Sequence, residues 1–167
     1  MITLEDFRTN AQVEGICDEY RDAFLSCVDK KQLMDMALGI KGADYLCNAI
    51  SKGWGISPDE ITKRFKGYLN GRYVFDNGKY TSTMYCQCSD DTIECETTLL
   101  TLIECKNITL NIPQNHICRI FTCGKCSIDL RGKGSCEIVC YGDYEDLKII
   151  ADIEIEHNIR YNKDKQR

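Results

Sequence analysis

Gly124-Lys-Cys-Ser-Ile-Asp-Leu-Arg-Gly-Lys133 runs directly into Gly134-Ser-Cys-Glu-Ile-Val-Cys-Tyr-Gly-Asp143. When the two stretches are aligned, Cys126, Ile128 and Leu130 fall on Cys136, Ile138 and Cys140. Apolar residues at alternate positions share one face of a β-strand, whose side-chain period is two. Ser127, Asp129 and Arg131 take the opposite face of the first block, so that strand is half exposed. The following stretch, Tyr144-Glu-Asp-Leu-Lys-Ile-Ile-Ala-Asp-Ile153, fits the same pattern after a shift of one residue.

The punctuation extends upstream. From Thr92 onward the chain interrupts itself about every ten residues, and Cys95, Cys105, Cys126 and Cys136 keep nearly the same spacing, with Cys118 slightly out of step. A small apolar residue recurring at one point of each strand is what stacked coils need, because neighbouring rungs present equivalent positions to one core. An antiparallel meander or sandwich also places strands at such spacing. The recurrence of equivalent positions, beyond the recurrence of strands, favours a β-solenoid.

Ahead of the repeats, Arg72-Tyr73-Val74-Phe75 and Lys79-Tyr80-Thr81 flank Asp76-Asn77-Gly78, and Asn-Gly between β-formers is a strong hairpin signal. Further upstream the period changes. Thr3-Leu4-Glu5-Asp6 reads as a helix start, and Ile16, Tyr20, Ala23, Phe24 and Cys27 recur at helical steps. Asp29 can cap a short helix carrying Leu33, Met36, Ala37 and Ile40 with Gly39 near its end; Tyr45, Leu46, Ala49 and Ile50 form another stripe, stopped by Gly53 and Gly55. Ser57-Pro58-Asp59-Glu60 is a capping box with proline at the first helical position. The helix it opens carries Ile61, Phe65 and Leu69, and Asn70-Gly71 ends it. Trp54, between two glycines, reads as a plug between helices.

The expected fold is therefore α+β. A helical subdomain of three to four short helices covers 1–71, a β hairpin plus strand repeat covers 72–155, and a polar tail, 156–167, frays.

Composition narrows the partners. The 167 residues carry a net charge of −5, with 43% hydrophobic and 28% charged residues. Such a chain buries a core without staples. Its two prolines mark no flexible linker. Through Phe75 there are 10 basic against 11 acidic residues, and beyond it 11 against 15. This balance lacks the basic footprint of non-specific nucleic-acid binding and gives no attraction to anionic membranes. The N-terminus shows no basic region followed by an apolar run, and no stretch is long and apolar enough to span a bilayer, so a cytoplasmic protein is expected. Twelve cysteines are then read as reduced, small buried hydrophobes rather than a disulfide framework.

The cysteines and His116 admit three chemical readings. Cys123-Gly-Lys-Cys126 with Cys86-Gln-Cys88 offers four sulfurs to a tetrahedral zinc, although one pair has a single intervening residue and Cys126 already has a core role. A redox use of Cys123 and Cys126 lacks the helix N-terminus that lowers a thiol pKa. His116 with a cysteine is a chance pairing among so many thiols. No phosphate loop or hydrolase motif accompanies them, so no catalytic residue is assigned. Lys63, Arg64 and Lys66 on the Pro58 helix provide the alternative function, a small DNA-binding regulator, with a solvated helix face as the plainer reading.

Gly53-Trp-Gly55, Tyr68-Leu-Asn-Gly-Arg-Tyr73, Met84-Tyr-Cys86, Asn115-His-Ile-Cys118 and Cys140-Tyr-Gly-Asp143 together resemble short prophage and mobile-element proteins of gut bacteria. The resemblance runs from about Asp44 to Ile153. It implies a mobile-element origin and a repeat architecture, and carries no activity across. The leading expectation is a non-enzymatic interaction protein with an unknown protein partner, self-association through uncapped coil ends being a natural addition.

Overall fold

In the computed structural model, described over residues 9, 26–28, 30–53, 57–69, 73–76 and 81–162, three helices precede a run of ten strands. The expected helix starts at Thr3 and Asp29, the stripe from Ile16 to Phe24, and Trp54, Asn70-Gly71, Asn77-Gly78, Lys163, Lys165 and Arg167 lie outside the described residues. The helices are α1 (Lys30–Leu38), α2 (Ile40–Ser51) and α3 (Pro58–Leu69). Ile40, read as the end of the first helix, instead opens the second, because Gly39 adopts an extended backbone and caps α2. The start of α3 follows the sequence signal: the Glu60 backbone N–H donates to Ser57 Oγ at 3.2 Å.

The strands are β1 (Tyr73–Asp76), β2 (Thr81–Cys86), β3 (Thr92–Glu94), β4 (Leu99–Ile103), β5 (Ile108–Ile112), β6 (Ile117–Cys123), β7 (Cys126–Gly132), β8 (Ser135–Tyr141), β9 (Leu147–Ala151) and β10 (Glu156–Tyr161). β1 and β2 form the expected antiparallel hairpin, with Asp76 opposite Thr81. Every other pairing is parallel and joins alternate strands, giving a six-stranded sheet β1-β2-β4-β6-β8-β10 and a four-stranded sheet β3-β5-β7-β9. This is a β-solenoid. The chain passes from one sheet to the other and back, so the ten-residue repeat is half a coil. Registers such as Ser82 to Leu99, Leu99 to Arg119, Arg119 to Glu137 and Ser135 to Glu156 give coils of 17 to 21 residues. Cys118, out of step in the sequence, pairs directly with Cys136 because that coil is shorter. The one-residue shift of the third block has a cause as well. A 3₁₀ turn, Tyr144–Asp146, precedes β9, whose Leu147, Ile149 and Ala151 pair with Cys126, Ile128 and Leu130.

Two cores result. Between the sheets lie Leu100, Leu102, Ile120, Ile138, Ile108, Leu110, Ile128 and Leu130, all buried, together with the cysteines of the repeat. The outer face of the six-stranded sheet meets the helices, where Met84, Leu99, Ile103, Phe121, Val139 and Tyr141 pack against Leu38, Ala43, Leu46 and Ile61. Phe121 and Tyr141 meet edge to face at 5.4 Å, and the Tyr141 hydroxyl donates to an Asp44 carboxylate oxygen. A sheet covered on both sides reads as continuous apolar sequence, as in Leu99-Leu-Thr-Leu-Ile103, whereas β5 alternates buried and half-buried residues.

At one corner the chain turns through Gln87 (φ 54°), Glu104 (φ 48°) and Gly124 (φ 66°), which follow the paired residues Cys86, Ile103 and Cys123. A Cβ on Gly124 would come within 2.6 Å of Glu104 Cγ, so both the left-handed backbone and the space call for glycine there.

The stretch 156–161, expected to fray as part of a polar tail, is strand β10. Its backbone pairs with Ser135 to Cys140 of β8, and Ile159 and Tyr161 pack against the inter-sheet core. Among the described residues no helix is long and apolar enough to cross a membrane.

Candidate interaction surface

The four cysteines considered for zinc are distributed over two cores. Cys86 and Cys123 face the helices with the Ile103 strand between them, while Cys126 belongs to the inter-sheet core and Cys88 packs against that core from beyond the corner. Their local partners differ accordingly. Thr62 Oγ1 lies 3.4 Å from Cys86 Sγ, and Cys126 Sγ lies 3.6 Å from the Leu102 carbonyl. Burial pushes both thiols up to about 12. Among the described residues, no three His, Cys, Asp or Glu side chains are grouped so as to hold a metal ion. His116 Nε2 lies 2.9 Å from the Thr97 carbonyl, a contact that anchors the ring to the turn before β4.

Helix α3 is docked against β2 and the corner. Ile61 is buried in the helical core, and Thr62 Oγ1 donates to Gln87 Oε1 at 2.9 Å, while Gln87 Nε2 donates to Asp59 and to Glu104. Lys63 is exposed; the side chains of Arg64 and Lys66 lie outside the described set.

A shallow groove of about 460 Å³ lies along this corner, lined by Cys88, Glu104, Lys106, Lys125 and Asp146 among others. Cys88 is the half-buried member of the described cysteines, the rest being buried. A hydrogen bond from Cys105 stabilises its thiolate and lowers it to about 7. The same contact, with burial, drives Cys105 upward. The groove thus holds one ionisable thiol amid mixed charges.

The two ends of the coil stack differ more than its flanks. At the first end β3 has three residues and the short antiparallel β1 covers the edge of β2. Very short terminal strands blunt an edge. At the second end β10 is six residues and β9 five, and among the described residues no strand pairs with the far edge of either. Asn162 N–H bonds the Cys140 carbonyl, so the backbone groups of Asn158 and Arg160 point to β8 and those of His157, Ile159 and Tyr161 point outward. The core is also incomplete here. Ile149, Ala151, Ile159 and Tyr161 are only partly buried, Tyr144 stacks on Tyr161 at 5.7 Å, and Ile150 and Ile153 are exposed.

Sequence reasoning did not single out β10. Its signal was the period of two in Ile155, His157, Ile159 and Tyr161, interrupted by a polar histidine and short of apolar residues because, among the described residues, it has a coil neighbour on one side only. No protein-family model, curated protein or solved structure matches the chain.

Proposed function

We propose that the protein is a cytoplasmic, non-enzymatic interaction protein of phage or mobile-element origin, in which the coil stack is a rigid platform and the open β9–β10 end is its docking edge. One observation carries the reading: the stack is blunted at the β1–β3 end and leaves two strand edges and an apolar fringe unpaired, among the described residues, at the other. Main-chain groups at a sheet edge supply affinity to an added strand, and the side chains beside them supply specificity. The origin rests on the sequence resemblance. The location rests on the composition and on the many buried thiols.

The test is capture of tagged protein from bacterial lysate, with bound protein and nucleic acid identified separately. A defined, stoichiometric protein, whether foreign or a second copy, is the expected recovery, and Ile159→Lys reduces it. Nucleic acid alone, released by salt, overturns the reading in favour of the basic helix.

A further inference from the structure

We propose that the occupant of the open end is a second copy of this chain, paired antiparallel through β10 across a two-fold axis at Asn158. The inference rests on the interaction reading and names its partner.

The register follows from the strand itself. A two-fold axis perpendicular to the sheet keeps the helix layers of both copies on one side and their inter-sheet cores on the other. Directly opposed residues must then share both a face and a hydrogen-bonding direction, which admits only registers whose opposed residues are both odd or both even in number. Among these, the one centred on Asn158 sets Glu156 opposite Arg160 of the second copy, twice. In that register the outward-pointing backbone groups of His157 and Ile159 bond those of Ile159 and His157 in the other copy. Glu156 and Arg160 fall on the non-hydrogen-bonded positions, where side chains approach most closely. Centring on His157 or Ile159 leaves neither charge opposite its complement.

The surface beside the strand is already prepared for this. On the outer face Arg119 Nε bonds Glu137 at 2.8 Å, and Arg160 approaches the same carboxylate at 3.7 Å. Adding Glu156 of a second copy continues the alternation of sign beyond Arg160. On the inner face, His157 would lie against Ile159 and Ile155 against Tyr161, so core-facing residues meet core-facing residues and the half-buried Ile159 and Tyr161 are covered. The first end offers no equivalent, since its edge strand β1 is four residues long and runs antiparallel to the stack.

Sedimentation velocity of the purified chain, from micromolar to millimolar concentration, tests the proposal. The wild type is expected to pass from monomer to dimer. Glu156→Arg alone and Arg160→Glu alone each set like charges opposite one another at both pairs, and each is expected to weaken the dimer by roughly tenfold or more. An equimolar mixture of the two single variants restores dimer, as does the double variant, because opposite charges again face each other. Restoration also excludes misfolding as the cause of the loss. A wild type that stays monomeric throughout overturns the second-copy assignment, and recovery of a foreign protein in the lysate capture would then leave the broader reading standing. A dimer indifferent to both reversals, or variants that do not rescue one another, overturns the β10 register.

Discussion

The two ends of the coil stack solve the same problem in opposite ways. Any parallel coil presents unpaired amides and carbonyls at its first and last rungs. At the start the chain covers its six-stranded sheet with β1, a four-residue strand running against the stack, and begins the other sheet with only three residues. At the other end the last described strand of that sheet, β10, is laid on β8, and no described strand is laid on β10. An edge that is blunted in one place and left long in another is a choice of where contact is permitted.

The largest contrast between the ends is chemical. Cys88, beyond the first corner, is lowered to about 7 by its hydrogen bond from Cys105, whereas burial raises Cys136, in the last complete coil, to about 11. The thiolate is the nucleophile, so at neutral pH Cys88 holds by far the larger reactive fraction. Among the described cysteines, iodoacetamide should modify Cys88 first, with a rate that climbs as pH rises through about 7, while Cys136 reacts only on unfolding. Peptide mapping after timed alkylation reads this directly, and equal labelling of the two would break the contrast.

Energetically, the middle of the stack should exceed both ends. Ile120 is fully buried, with coils on either side, and Ile120→Ala should cost about 2–5 kcal/mol in urea unfolding. Among the described residues Ile159 has a coil on one side only, so Ile159→Ala should cost about 1 kcal/mol in dilute solution, where no second copy assists. Similar costs at the two sites would mean that the end is more enclosed than its partial burial indicates. Opening the first end sharpens the same point. Val74→Pro with Phe75→Pro removes a ladder bond whichever alternate amide makes it, with an expected loss of about 1–3 kcal/mol and new association at that end. Retained stability and an unchanged sedimentation profile would show that β1 is no cap.

Much of this architecture was legible in particular residues. The paired blocks at Gly124 and Gly134 carried the half-coil, Ser57-Pro58 carried the start of α3, and the flanks of Asn77-Gly78 carried the hairpin. What misleads is that outward positions mean different things on the two sheets. Ser127, Asp129 and Arg131 on β7 look outward to water, but Val139 and Tyr141, at outward positions of β8, are buried under helix α2. No local pattern states which sheet receives the helices, because that is decided by contacts far apart in sequence, such as Asp44 with Tyr141. The zinc reading joined Cys86, Cys88, Cys123 and Cys126 by spacing, yet alternation along β2 and β6 sends Cys86 and Cys123 to the helical side while Cys126 faces the other core. The candidate edge was the least legible element. A strand with one neighbour needs fewer apolar residues, so β10 resembles a solvated tail until its pairing with β8 is seen.

Amide hydrogen exchange on β10, followed at dilute and at concentrated protein, tests the central claim most directly. The outward-pointing amides of His157, Ile159 and Tyr161 should exchange fast in dilute solution and slow together as concentration rises, while amides of β2 beneath the β1 cap stay unchanged. Fast exchange at every concentration would contradict a docking edge. Protection of those amides at every concentration would equally contradict it, showing that the edge is already covered within a single chain.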